Sequence, residues 1–344
     1  MKKMSVFTAA AGVLIFAVTF RYTQAFSEGI IIGLKNCASV IIPSLFPFMV
    51  AASFMGSVEI PEKLKRIADP VTRRAFGQPS ECIAAVIPAL LGGYPSGAKA
   101  AYSLWSGGKI SKENAKRLVL FCVNGGAGFC VNAVGTAMLG SEGAGRIILV
   151  SMCLAAVITG VFTRKKTTAE QLPQKTEYRG FSEIFVESVA SASKGIITVC
   201  AYTALFSGVI SVISQLGLSS NSVAAIACLL EVTSGCVEVA GKVPIPVIAA
   251  VCAFGGLCVH MQIFTLSGEL KPKLSEFYFF RAIHSLLSGV ICAVLLKWFP
   301  VAEETALSLS ENASAWSFSA PAAISLVFLA SLLILELDKE KKIC

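Results

Sequence analysis

Four short stretches of this sequence carry residues able to bind a polar group within an otherwise apolar chain. The first is Gly92-Gly93-Tyr94-Pro95-Ser96-Gly97, with Lys99 just beyond it. The second is Asn124-Gly125-Gly126-Ala127-Gly128, a carboxamide followed by three glycines in four residues. The third places Thr233 and Ser234 directly after Glu231, and the fourth is Gly255-Gly256 followed by His260 and Gln262. Glycine and proline open helical backbone, and a carboxamide beside open backbone offers both donors and acceptors. A carboxylate at membrane depth is costly and therefore a functional candidate, with Lys99 as its expected countercharge. The chemistry this suggests is hydrogen-bonded recognition of a polar solute. Covalent catalysis is not expected: His260 and His284 are the only histidines, and neither HExxH nor GxSxG occurs. The twelve cysteines contain no CxxC pair, and Cys122, Cys130, Cys153, Cys200, Cys228, Cys252 and Cys292 read as small packing side chains within apolar runs. Cys258 with His260 makes two candidate ligands, too few for a metal site. No metal or cofactor is expected.

The elements that must hold these residues are membrane helices. Of 344 residues 55% are hydrophobic and 15% charged, against about 25% charged in soluble domains. Mean hydropathy is +0.74. Several apolar runs reach the roughly 20 residues a helix needs to cross a bilayer, and alternating strand patterns are absent, which excludes a β-barrel. The +8 net charge sits in short loops, as the positive-inside rule produces, and implies no nucleic acid.

In chain order, residues 1–28 read as an N-terminal transmembrane helix, with Lys2 and Lys3 placing the N-terminus in the cytoplasm; a cleaved signal peptide is the lesser alternative. Gly29 to Ser57 is a second span that Pro43 and Pro47 kink or break. Glu59 to Gln78 is amphipathic and basic, suited to the cytoplasmic surface. Glu81 to Trp105 is split into halves too short to span, hence a re-entrant hairpin with its tip at Gly92-Gly93. Leu118 to Leu139 is a span unwound near Asn124, and Ala144 to Thr163 an ordinary one. The basic linker 164–182 divides two halves, 29–163 and 183–299. In the second half Asn221 to Gly241 carries Glu231, which either faces a wet cavity or caps a helix, and Val247 to Leu270 is again split by two glycines. Residues 300–344 hold an acidic external loop, a last helix and a cytoplasmic tail.

The halves look duplicated. Arg117 follows Gly93 by 24 residues and Arg281 follows Gly256 by 25, in each case through a basic turn. A broken segment in each half points to a transporter-type site where the repeats meet. Positive-inside puts both basic turns in the cytoplasm, which calls for similarly oriented halves, whereas inverted halves would put Lys271 and Lys273 outside. Whether Asn221 to Gly241 crosses the bilayer decides between them.

The motifs PSLFPF, GYPSGAK, ISKENAKRL, FCVNGGAGF, LLEVTSG and FGGLCVHMQ, in that order from about Gly33 to Trp298, resemble the YlbJ type of sporulation integral membrane protein, within the nucleoside-recognition or Gate group. One departure is Ala127-Gly128, where members often carry a proline. The resemblance implies an all-α polytopic fold with inverted repeats, re-entrant hairpins and broken transmembrane helices, similar to the core of concentrative nucleoside transporters. It also implies a role in spore cortex formation in an endospore-forming bacterium. The expectation is a cell-membrane permease or gated pore for a small polar solute, in a lipid bilayer and open to self-association. The alternative is a scaffold recruiting spore-envelope proteins.

Overall fold

A computed structural model describes residues 13, 16–58, 61–165, 180–270 and 272–301. Residues 1–12, 14 and 15 of the first expected helix, the acidic loop, the last helix and most of the linker lie outside these residues. Among the described residues every regular element is helical, and five helices are long and apolar enough to cross a membrane.

The first of these runs from Thr23 to Ser57 as α1 (Thr23–Asn36), a π-helical turn (Cys37–Ile41) and α2 (Ile42–Ser57). The expected boundary at residue 28 is therefore not a break. The proline expectation resolves as a distortion rather than a rupture. Pro43 has no N–H to offer the Ser39 carbonyl, and the helix widens into the π turn just there, while Pro47 lies inside α2. The amphipathic α3 (Glu62–Phe76) follows, ended by Gly77 in the left-handed region at φ 59°.

Next comes a pair of short helices, α4 (Ile83–Gly92) and α5 (Tyr94–Ser106), packed along one another about Gly93, whose φ of 101° only glycine adopts readily. Then α6 (Lys112–Phe121) stops, residues 122–126 form no regular structure, and the π-helical α7 (Gly128–Met138) continues. Ser111 caps α6 by accepting from Asn114 N at 3.2 Å. α8 (Glu142–Phe162) and the 34-residue α9 (Phe181–Ser214) are uninterrupted. A second packed pair, α10 (Ser220–Leu230) and α11 (Val232–Val239), turns at Glu231. α12 (Ile245–Phe254) and α13 (Gly256–Leu266) meet at Gly255, and α14 (Leu274–Trp298) ends the described chain.

One open question is answered here and one expectation changes. Asn221 to Gly241 does not cross: it folds back at Glu231, as α10 against α11. Conversely, α12 and α13 are not packed along one another, so Gly255-Gly256 is a break within a span and not a hairpin tip. Matching Gly-Gly to Gly-Gly paired a turn with a span break. Among the described residues the chain turns between packed helices at Gly93 and Glu231, and is interrupted without such packing at 122–126 and Gly255.

The helix ends sort into two groups. At one end a cleft is lined by Glu113, Lys116 and Arg117 of α6, Lys165 after α8, and Lys273 and Glu276 at the start of α14. There Lys109 Nζ donates to the carbonyls of Gly56, Ser57 and Val58 at 3.0–3.2 Å, tying the end of α2 to the α5–α6 turn. The Phe54 and Phe181 rings, 5.3 Å apart, bring the start of α9 to the same end. The α4/α5 pair opens towards this basic end. At the other end Val301 lies against Gly143, joining the close of α14 to the opening of α8, and Gly29 packs on Ser207 and Ser211 late in α9. The α10/α11 pair opens towards that second end.

Candidate functional site

The four interruptions meet. Gly126 lies against Gly93: a Cβ on Gly126 would come within 2.6 Å of the Gly93 nitrogen and 2.8 Å of the Gly92 carbonyl carbon. One turn on, Gly97 presses on the Cys122 carbonyl with no room for a methyl group. Tyr94, buried at the start of α5, donates its hydroxyl to Cys252 O of α12 at 2.8 Å, and its ring contacts the space beside Gly255. Gly256 in turn faces the carbonyl of Leu230 and the nitrogen of Glu231. The order of contact is thus unwound stretch, first turn, second break, second turn.

Open backbone at such a junction leaves carbonyls that must be satisfied. Arg281 of α14 does this. Its guanidinium is fully buried and donates to Val123 O at 2.7 Å and Ala253 O at 3.2 Å, the first in the unwound stretch and the second at the end of α12. A cation is favoured there because helix C-termini carry partial negative charge. His284, one turn later, meets Arg281 through Nδ1 at 2.7 Å and reaches Met152 O of α8 through Nε2 at 3.0 Å. Sequence reading treated Arg281 as part of a basic turn. The signal that would have found it is a lone cation on an apolar helix, with a histidine three residues later on the same face.

The expected site residues divide into groups. Gly92, Gly93, Tyr94, Pro95, Ser96 and Gly97 form the first turn and the opening of α5, with Pro95 in its first helical turn and Ser96 Oγ donating to Gly92 O at 3.2 Å. Asn124 lies in the unwound stretch, fully buried; Nδ2 faces Cys153 Sγ at 3.8 Å and Oδ1 has no hydrogen-bond partner among the described residues. Gly255 and Gly256 form the second break. His260 and Gln262 lie on α13: the imidazole contacts the rings of Phe254, Phe277 and Tyr278 at 4.9–5.2 Å and bonds Phe254 O through Nε2, its Nδ1 has no hydrogen-bond partner among the described residues, and Gln262 donates to Cys258 Sγ at 3.2 Å.

Glu231 and Lys99 do not form the expected ion pair. Glu231 sits in the second turn and caps α11, accepting from Thr233 N at 3.0 Å and from Ser234 N and Oγ at 2.7 and 2.8 Å. These donors meet its charge without a cation. Lys99 is 6% exposed, faces α9 near Gly195, and its ammonium has no hydrogen-bond partner among the described residues. A double-mutant cycle of Glu231→Gln and Lys99→Gln, followed by thermal unfolding, should therefore be additive within about 0.5 kcal/mol. A coupling above roughly 1 kcal/mol would restore the pair.

No family model, curated protein or solved structure matches the chain.

Proposed function

We propose that this chain is a multi-pass membrane permease for a small polar solute, of the YlbJ type and nucleoside-recognition group its motifs resemble, acting in spore formation. The observation that carries the reading is the meeting of two helix turns and two span breaks around buried polar groups. Among the described residues Asn124 Oδ1, in the unwound stretch, and Lys99 Nζ, farther along α5 beside Gly195 of α9, are left as an unused acceptor and an unused donor. Discontinuous helices meeting at membrane depth are how secondary transporters build solute sites.

The reading extends to architecture. Each half carries a folded-back pair, a broken span and an unbroken span: α4/α5, α6–α7 and α8, then α10/α11, α12–α13 and α14. The first pair opens to the basic end and the second to the opposite end, so the halves are inverted repeats. Inversion and the positive-inside rule then agree. Lys273 and Lys116 share one end because α13 arrives there as the close of a crossing span. That end is assigned to the cytoplasm.

Thermal unfolding of purified protein against a panel of small polar solutes, nucleosides included, tests the solute site. At least one solute should raise the midpoint saturably in wild type and not in Asn124→Ala. In the source organism, loss of the gene should spare vegetative growth and lower heat-resistant spore yield. A full spore yield from well-inserted Lys99→Gln, Asn124→Ala protein would overturn the permease in favour of a scaffold.

A further inference from the structure

The α3 helix has a side that neither the solute site nor the helix array uses. Ala68, Thr72 and Phe76 face inward; Phe76 stacks on Phe121 at 5.2 Å and seats against Gly160 of α8. Arg117 donates to Gly77 O at 3.3 Å and Thr163 O at 3.0 Å, fastening the end of α3 to that of α8. The helix is therefore held in a fixed orientation at the basic end.

At 100° per residue the rest of its surface divides into two arcs. Leu64, Ile67 and Val71 form an apolar arc beside the inward face and stay 42%, 70% and 60% exposed. Lys63, Arg66, Arg73 and Arg74 form a basic arc next to it. Arg73 is paired with Asp69, and Lys65 with Glu62 and Glu81. Lys63, Arg66 and Arg74 have no acidic partner among the described residues.

We infer that α3 lies in the membrane interface, with Leu64, Ile67 and Val71 in the acyl boundary and Lys63, Arg66 and Arg74 on the phosphates of anionic lipids. This inference is independent of the solute site. Three apolar side chains left bare on a helix rigidly fixed beside membrane spans need an apolar medium, and the bilayer edge is the one adjacent to it. Unpaired cations flanking that arc match anionic headgroups in charge. A water-facing role leaves Ile67 unexplained, and a zwitterionic surface leaves the three cations without counterions.

The test uses full-length protein in nanodiscs of phosphatidylcholine alone and of phosphatidylcholine mixed with phosphatidylglycerol as the anionic probe. Wild type should unfold at a higher temperature in the anionic discs. Lys63→Gln, Arg66→Gln, Arg74→Gln should lose that rise, and half-molar NaCl should erase it in wild type. In parallel, Ile67→Trp fluorescence should be quenched by lipids brominated near the headgroup, and Arg66→Trp much less. An equal rise in the triple variant would move the lipid effect elsewhere. An unquenched Ile67→Trp would mean that α3 faces water or a protein partner. Either result overturns the inference.

Discussion

Arg281→Met should lower the unfolding midpoint of the detergent-purified protein more than other side-chain truncations at the site. Its guanidinium is the donor to Val123 O and Ala253 O, carbonyls freed by two separate helix interruptions. Each buried acceptor left unsatisfied costs about 1–3 kcal/mol, so the two together cost about 2–6 kcal/mol. Removing the cation also returns the cost of burying it, several kcal/mol. The carbonyls win because they stay where they are: the glycine-rich backbone around them is fixed by contacts with Gly93 and Tyr94 and cannot re-form helix to satisfy them. Arg281→Lys separates charge from shape. An ammonium keeps the charge but lacks the planar fork that reaches two carbonyls and His284 together, so it should recover part of the loss. A methionine variant as stable as wild type would show that the charge burial outweighed its bonds.

Gly97→Ala should be the most damaging small substitution. The added methyl would overlap Cys122 O and approach Ala89 Cβ to 2.6 Å, so the α4/α5 pair could not seat against the unwound stretch. Overpacking costs about 1–3 kcal/mol when side chains can yield, and here the obstacle is backbone. The expected result is loss of monodisperse protein or a large drop in midpoint. Gly180→Ala, with no described atom within 4 Å of the new carbon, should cost no more than about 1 kcal/mol, the preference for glycine over alanine at the N-cap of α9, and serves as control. A Gly97→Ala protein with the wild-type midpoint would mean that this contact does not exist.

The sequence made the membrane class and the place of three of the four interruptions readable, because glycine and proline within apolar runs are local signals. Gly92-Gly93 and the stretch after Asn124 need no distant partner to be recognised. The Glu231 turn was harder to read. It has no glycine or proline at its centre, and a glutamate using its own carboxylate to cap the following helix looks, in one dimension, like a buried charge seeking a cation. That is why Lys99 was assigned to it. The second error had a similar source: Gly255-Gly256 resembles Gly92-Gly93 in composition, while what distinguishes a turn from a span break is which helices pack together. Arg281 was passed over because its meaning lies in its partners, one of them 158 residues away.

That separation bears on how the protein is made. The Val123 carbonyl leaves the ribosome long before Arg281 does. At 5–20 residues per second, 158 residues take on the order of 8–30 s. Tyr94 waits as long for Cys252, also 158 residues on. Throughout that interval the chain holds an unwound segment and a short helix pair whose partners on α12 and α14 have not yet been made. Neither half is then a self-sufficient insertion unit, and the first must stay sheltered, at the insertion machinery or in a wet vestibule, until α14 is delivered. Biogenesis ends, rather than begins, with the residue that completes the centre.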